Sequence, residues 1–205
     1  MPKFPWPPPA ERLQRISADR QTIRAGTLVT RIYSRAGSHP TTWRQFRFDS
    51  PLPGARFDHH IPGEQRAVLY AAQDLVTFVA EVFQGTRLID RTVNDRCLAA
   101  FSLTRSVQLI DLTGDWPTRA GASQAIASGP RPRAQAWARA IYEAYPKVEG
   151  IWYPSSMHGG HPALVLFERA ESAMPPLADI DVPLSHPGLL PDLTRAAGSL
   201  GYLIR

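Results

Sequence analysis

The chain has 205 residues, 43% hydrophobic and 20% charged, the proportions of an ordinary globular domain that folds without disulfide or metal. Its formal charge of +5 comes from 21 arginines and two lysines, Lys3 and Lys147, with no basic cluster interleaved with aromatics, which argues against a nucleic-acid binder. One cysteine excludes an intramolecular disulfide, and no stretch approaches the ~18 apolar residues of a membrane span.

The start, "MPKFPWPPPAERLQ", lacks the apolar segment of a secretory signal, so a cytoplasmic setting is expected. Five prolines in the first nine residues make residues 1–10 read as an extended tail, and residues 1–20 as a Pro-rich arm. "TLVTRIYS" (27–34) is β-rich and predicts a strand with Arg31 in its middle. Residues 35–66 read as a long loop with short extended pieces, and loops of that length tend to be functional or disordered.

"AVLYAA" (67–72) predicts a second strand, carrying Tyr70. It runs into a helix in "DLVTFVAEVFQG", with Asp74 as N-cap and Gly85 as the stop. Leu75, Val79, Val82 and Phe83 make its apolar stripe, and Glu81 lies beside that stripe, placed for solvent or for a cleft. "LAAFSLTRS" and "VQLIDLT" predict two more strands, followed by an irregular helical connection over Asp115–Ala127. Residues 132–145 predict a helix started by Pro132. "GIWYPSS" and "ALVLFER" predict strands joined by the turn "MHGGHP". Five prolines between Pro175 and Pro191 make the end read as an extended wrap. Cys97, on a largely apolar approach to a strand, reads as a buried core thiol. Strands dominate, so the fold class is α+β.

The stretch "ARFDHH" (55–60) concentrates polar chemistry. Asp58, His59 and His60, with His158 and His161 in another loop, suggest metal ligands, but adjacent extended residues face opposite ways and no full ligand set is visible. No metal is therefore expected. A Ser-His-Asp hydrolase lacks its Gly-x-Ser-x-Gly elbow, and no Walker phosphate loop is present. A more specific set is Arg31, Arg56, Tyr70, Glu81 and Ser155. Two arginines suit a diphosphate, a tyrosine can stack on a flat ring, and a carboxylate can hold a ribose hydroxyl.

In this order the motifs resemble the RES domain family, named for an arginine, a glutamate and a serine. The resemblance runs from about residue 27 to 170: "TRIY" at Arg31, "GARFD" at Arg56, a Leu-Tyr-Ala strand at Tyr70 leading to a helix with Ala-Glu at Glu81, then "GIWYPSSMHGGHPALVLF" with Ser155 in the serine place. Ala55 replaces a glycine common in the family, and Phe57-Asp58 stands where Trp-Asn is frequent. The choice of Ser155 over Ser156 rests on the Tyr-x-Ser spacing.

The resemblance implies an α+β fold similar to ADP-ribosyltransferases, with a mixed/antiparallel β core and a few helices; the domain is expected over residues 21–172, with the Pro-rich end, 173–205, as an extended wrap packed on it. It implies cleavage of the nicotinamide–ribose bond of NAD, with inorganic phosphate, water or a protein as acceptor and without a metal. Glu81, Arg56 and Ser155 are the implied catalytic residues, and Arg31, Arg56, Tyr70 and Ser155 the implied NAD-binding ones. It also implies the toxin of a toxin–antitoxin pair, partnered by an Xre-type antitoxin. The alternative is an inactive member of the same fold, an interaction or nucleotide-binding module whose Pro-rich ends wrap a partner.

Overall fold

A computed structural model describes residues 3–48 and 54–205. Ten strands run in chain order as β1 Arg20–Ile23, β2 Leu28–Ser34, β3 Val68–Ala72, β4 Leu88–Ile89, β5 Arg96–Ser102, β6 Val107–Asp111, β7 Gly150–Pro154, β8 Pro162–Phe167, β9 Ile180–Pro183 and β10 Leu203–Ile204. The helices are α1 Ala10–Leu13, α2 Leu75–Phe83, α3 Trp116–Arg119, α4 Arg131–Ala144 and α5 Leu190–Leu200. Eight strands form one sheet in the order β1-β6-β7-β8-β3-β2-β5-β9, and β4 and β10 form a small parallel pair. Among the described residues of the large sheet, only β6 and β7 pair in parallel. The architecture is α+β, with a mostly antiparallel sheet and few helices.

The sheet is not uniformly knit. β2 pairs with β5 along its whole length, from Leu28↔Ser102 to Ser34↔Arg96, but meets β3 only at Thr30↔Ala72. The two strands splay beyond that point, and Arg47 of the preceding loop pairs with Val68 instead. This bridge lies within the long loop expected over 35–66.

Alternation along the strands sorts side chains onto two faces. One face carries two separate cores. The first packs α3 and α4 through Trp116, Trp137 and Ile141 against Ile110, Ile151 and Val165. The second packs α2 and α5 through Phe78, Val79 and Leu193 against Ile32, Ala72 and Leu98. Tyr70 packs against both. The gap between these helical layers, floored by β3 and β7, is where a cavity opens. The opposite face is closed by Phe46, Phe101, Leu109, Trp152 and Met174.

Both chain ends differ from their sequence reading. The N-terminal segment is docked on α4 rather than held out as an arm. Phe4 and Leu13 are buried in the first core, the Trp137 indole N–H donates to the Pro5 carbonyl, and Tyr145 donates to the Leu13 carbonyl. The C-terminal segment is extended only to about residue 186. Pro191 falls in the first turn of α5, where its missing N–H costs nothing, so it starts a helix that Gly201 (φ +66°) then ends in left-handed geometry. Strands β1, β4, β9 and β10 were not visible in the sequence, since each has only two to four residues. Cys97 is fully buried, and burial pushes its thiol pKa up.

Candidate active site

Helix α2 brings the acid. The Asp74 carboxylate caps it by accepting from the Val76 and Thr77 backbone N–H groups, which fixes where its turns fall. Phe78, Glu81 and Val82 consequently face the gap between the two cores and line its wall. The sequence left Glu81 between solvent and cleft; it points into the cleft.

Ser155 follows β7 and is buried. Its hydroxyl accepts from the Met157 and His158 backbone N–H groups, both at 3.1 Å. With its lone pairs so engaged, its one proton is directed outward, to Glu81 Oε1 at 2.6 Å. Ser155 rather than Ser156 touches the glutamate, while Ser156 lines the cavity wall. Burial raises the Glu81 pKa; the Ser155 hydrogen bond and the Arg56 charge oppose that shift without cancelling it.

The loop before β3 supplies the arginine, and Asp58 organises that loop. Its carboxylate accepts from Ala55 N–H at 2.7 Å, from Arg47 Nη2 at 2.6 Å and from the Tyr70 hydroxyl at 3.1 Å. Tyr70 in turn accepts from Phe57 N–H at 2.9 Å. The ring of Tyr70 is thus a cavity wall and its hydroxyl a clamp on the neighbouring loop. Asp58, considered from the sequence as a metal ligand, is the knot of this loop.

Arg56 faces the cavity, half-buried, with Nη1 donating to the Gly129 carbonyl at 2.6 Å. Burial lowers its pKa, Glu81 works against that, and Arg131 adds to it. Arg131 is a cavity residue that sequence reading missed. The signal was "GPRPR", where prolines on either side of Arg131 set the start of α4 beside the gap. Tyr153, on β7, completes the wall; it lies in electrostatic range of Glu81 and Arg56, and burial pushes its phenol pKa well up.

Arg31 is not brought to this cavity. It lies on the face of β2 opposite Thr30, whose side chain shares the face of Ala72 and Tyr70. Its Nη1 donates to the Trp43 and Gln45 carbonyls at 3.1 and 3.3 Å, and Nε has no partner among the described residues. Burial lowers its pKa to about 10, and Arg47 adds to the effect while Tyr33 opposes it. Its visible work is to hold the loop wedged beside β3.

His59 and His60 are also elsewhere. His59 is buried against Tyr142 and Phe167, with Nε2 3.6 Å from Glu168, and His60 Nδ1 meets the Arg66 carbonyl at 2.9 Å. No metal set forms around them among the described residues.

The cavity has a volume of about 170 Å³. It juxtaposes a hydroxyl-tethered carboxylate, two guanidinium groups and three aromatic walls, Tyr70, Phe78 and Tyr153. Such a set offers positive charge to an anion and flat walls to a ring, with a carboxylate between them. Residues 28–185 match the RES domain family, and the chain belongs to that family. Among solved structures, the fold is similar to a chain of the crystal structure of the M. tuberculosis MbcT–MbcA toxin–antitoxin complex. The TM-score is 0.57 at 19% identity, covering 85% of this chain and 92% of that one. No curated protein matches the sequence significantly.

Proposed function

We propose that this RES domain protein cleaves the bond between nicotinamide and ribose in NAD, and that it is the toxin of a toxin–antitoxin pair. The observation that carries the reading is the 2.6 Å contact from Ser155 to Glu81 at a cavity flanked by Arg56 and Arg131.

The nicotinamide ring occupies the aromatic slot between Tyr70, Phe78 and Tyr153. The C1′–N bond breaks with its electron pair going to the ring nitrogen, so nicotinamide leaves neutral and positive charge develops on the ribose. Glu81, ionised, faces that charge and accepts from the ribose 2′-hydroxyl. Placed in a water-poor cleft, it stabilises the oxocarbenium-like state more than it does the ground state. Ser155 fixes the carboxylate's orientation and spares it full desolvation. Arg56 and Arg131 neutralise the diphosphate or an incoming phosphate. An oxygen lone pair of phosphate, water or a protein side chain then bonds to C1′, and that acceptor's proton leaves to solvent or to Glu81. The chemistry needs no metal, because the leaving group departs uncharged.

Support for a protein partner comes from the neighbour's description as part of a toxin–antitoxin complex; an Xre-type antitoxin in the cytoplasm fits this reading. The docked N-terminal segment weakens the alternative of an inactive module, since this Pro-rich stretch, which would wrap a partner, is packed on its own domain. The test is nicotinamide release from NAD by purified protein, with and without phosphate, beside Glu81→Gln. Release by wild type and its loss in the variant is the expected outcome. No release by wild type, or equal release by both, sinks the reading.

A further inference from the structure

Beside the cavity, the turn after β7 meets the start of α2, and three ligating side chains converge there. Asp74, His158 and His161 present donor atoms that all lie within 4.8 Å of one another. Sequence spacing hid the set, because Asp74 is far in sequence from the two histidines and is already recognisable as a helix cap.

We propose that these three residues form a binding site for a divalent transition metal of the zinc class. One edge is nearly at ligation geometry: His158 Nδ1 is 3.6 Å from Asp74 Oδ2. Two donors on a tetrahedral ion, each about 2.0–2.1 Å from it, stand roughly 3.3 Å apart. The Thr77 hydroxyl lies 2.9 Å from both the Asp74 carboxylate and His158 Nδ1 and holds these two donors side by side; an incoming ion takes the Nδ1 lone pair in its place.

His161 is the ligand that moves. Its ring stacks on His158 with centroids 4.0 Å apart and an interplanar angle of 11°. Parallel rings cannot both aim in-plane lone pairs at one ion, so metal binding turns the outer ring out of the stack. Nothing resists that turn: His161 is exposed, its side chain has no hydrogen bond among the described residues, and it follows Gly159 and Gly160, both at positive φ. Two imidazole nitrogens and one carboxylate favour zinc, nickel or copper over magnesium or calcium. Water completes the coordination.

The position gives the ion a consequence. The His158 backbone N–H is one of the two donors that fix the Ser155 hydroxyl toward Glu81. An ion held by the His158 ring ties this turn to the first turn of α2, the helix that carries Glu81. Binding itself does not depend on the proposed reaction.

The test is calorimetric titration of the whole chain with Zn²⁺, with visible absorption of added Co²⁺ as a second readout. Wild type is expected to take up one ion per chain. His161→Ala and Asp74→Asn each weaken binding about tenfold or more, and the Co²⁺ bands of the wild type disappear in both. Asparagine caps a helix about as well as aspartate, so Asp74→Asn keeps the fold, which circular dichroism checks. His39→Ala and His186→Ala, at exposed histidines elsewhere, bind as wild type does. No binding near one equivalent, or undiminished binding by His161→Ala, overturns the site. Either result leaves nicotinamide release untouched as a separate question.

Discussion

Glu81 and Glu168 are both partly buried carboxylates beside aromatic rings, yet they are pushed in opposite directions. Burial raises both, and what differs is the supply of donors. Glu168 meets the Ala67 backbone N–H at 3.0 Å, the Tyr142 hydroxyl and His59, and its pKa falls to about 2. Glu81 has one hydrogen-bond donor among the described residues, Ser155, and its pKa stays raised. The saturated carboxylate is a structural anchor. The under-satisfied one lines a cavity, and in the proposed reaction it takes the ribose hydroxyl and faces the developing cation.

The largest effect that would break this contrast is at Glu81. Glu81→Gln is expected to lower nicotinamide release by roughly 10²–10³-fold, the scale of removing one preorganised electrostatic group. The same variant is expected to melt higher than wild type. A carboxylate with a raised folded pKa favours the neutral form, so its stabilising share is present at acid pH and lost as pH rises through the folded value. The melting gap between variant and wild type should therefore open with rising pH. A Glu81→Gln protein that melts lower at neutral pH would place Glu81 with Glu168 as an anchor.

Ser155→Ala comes next. Removing the hydroxyl deletes the hydrogen bond that opposes desolvation, so the Glu81 pKa climbs further. Release should fall roughly tenfold near neutral pH, the cost of a hydrogen bond to a charged group. The acid limb of the pH–rate profile should move to higher pH. An unshifted limb would detach the serine from the glutamate.

Glu168→Gln should act on stability alone. At neutral pH it loses an ionised acceptor that takes two hydrogen bonds and has the His59 ring 3.6 Å away, costing about 1.5–3 kcal/mol in urea denaturation. A depressed carboxylate contributes above the ordinary carboxylate range and loses that share as pH falls toward about 2, so the deficit should shrink in acid. Activity per folded molecule should be unchanged.

Much of this site was legible in the sequence because motif order and strand periodicity are local properties. Glu81, Ser155, Tyr70 and Arg56 were nameable, and three of the four lie on or beside elements with clear periodicity. The roles of Asp58 and Arg131 were not, since each depends on a contact across the fold: Asp58 ties Arg47, Ala55 and Tyr70, and Arg131 meets the cavity only when α4 packs beside β3 and β7. The same limit explains Arg31. Its strand was readable, but which face the strand turns to the cleft is a question of register with β3, and a one-residue difference reverses the side.

Arg31 and Arg131 therefore offer the smallest and most discriminating test. Arg131 is exposed and lines the cavity, where salt screens its charge, and in the proposed reaction it helps to hold the anionic substrate. Arg131→Gln should raise KM for NAD several-fold with kcat little changed, and added salt should narrow the difference. Arg31→Gln removes the donor to the Trp43 and Gln45 carbonyls, which should cost about 1–3 kcal/mol of stability and leave KM alone. Steady-state kinetics beside denaturation curves separates the two. If instead Arg31→Gln raises KM at unchanged stability, its guanidinium reaches the substrate when NAD binds, and the splayed β2–β3 seam is the part of the fold that opens to admit it.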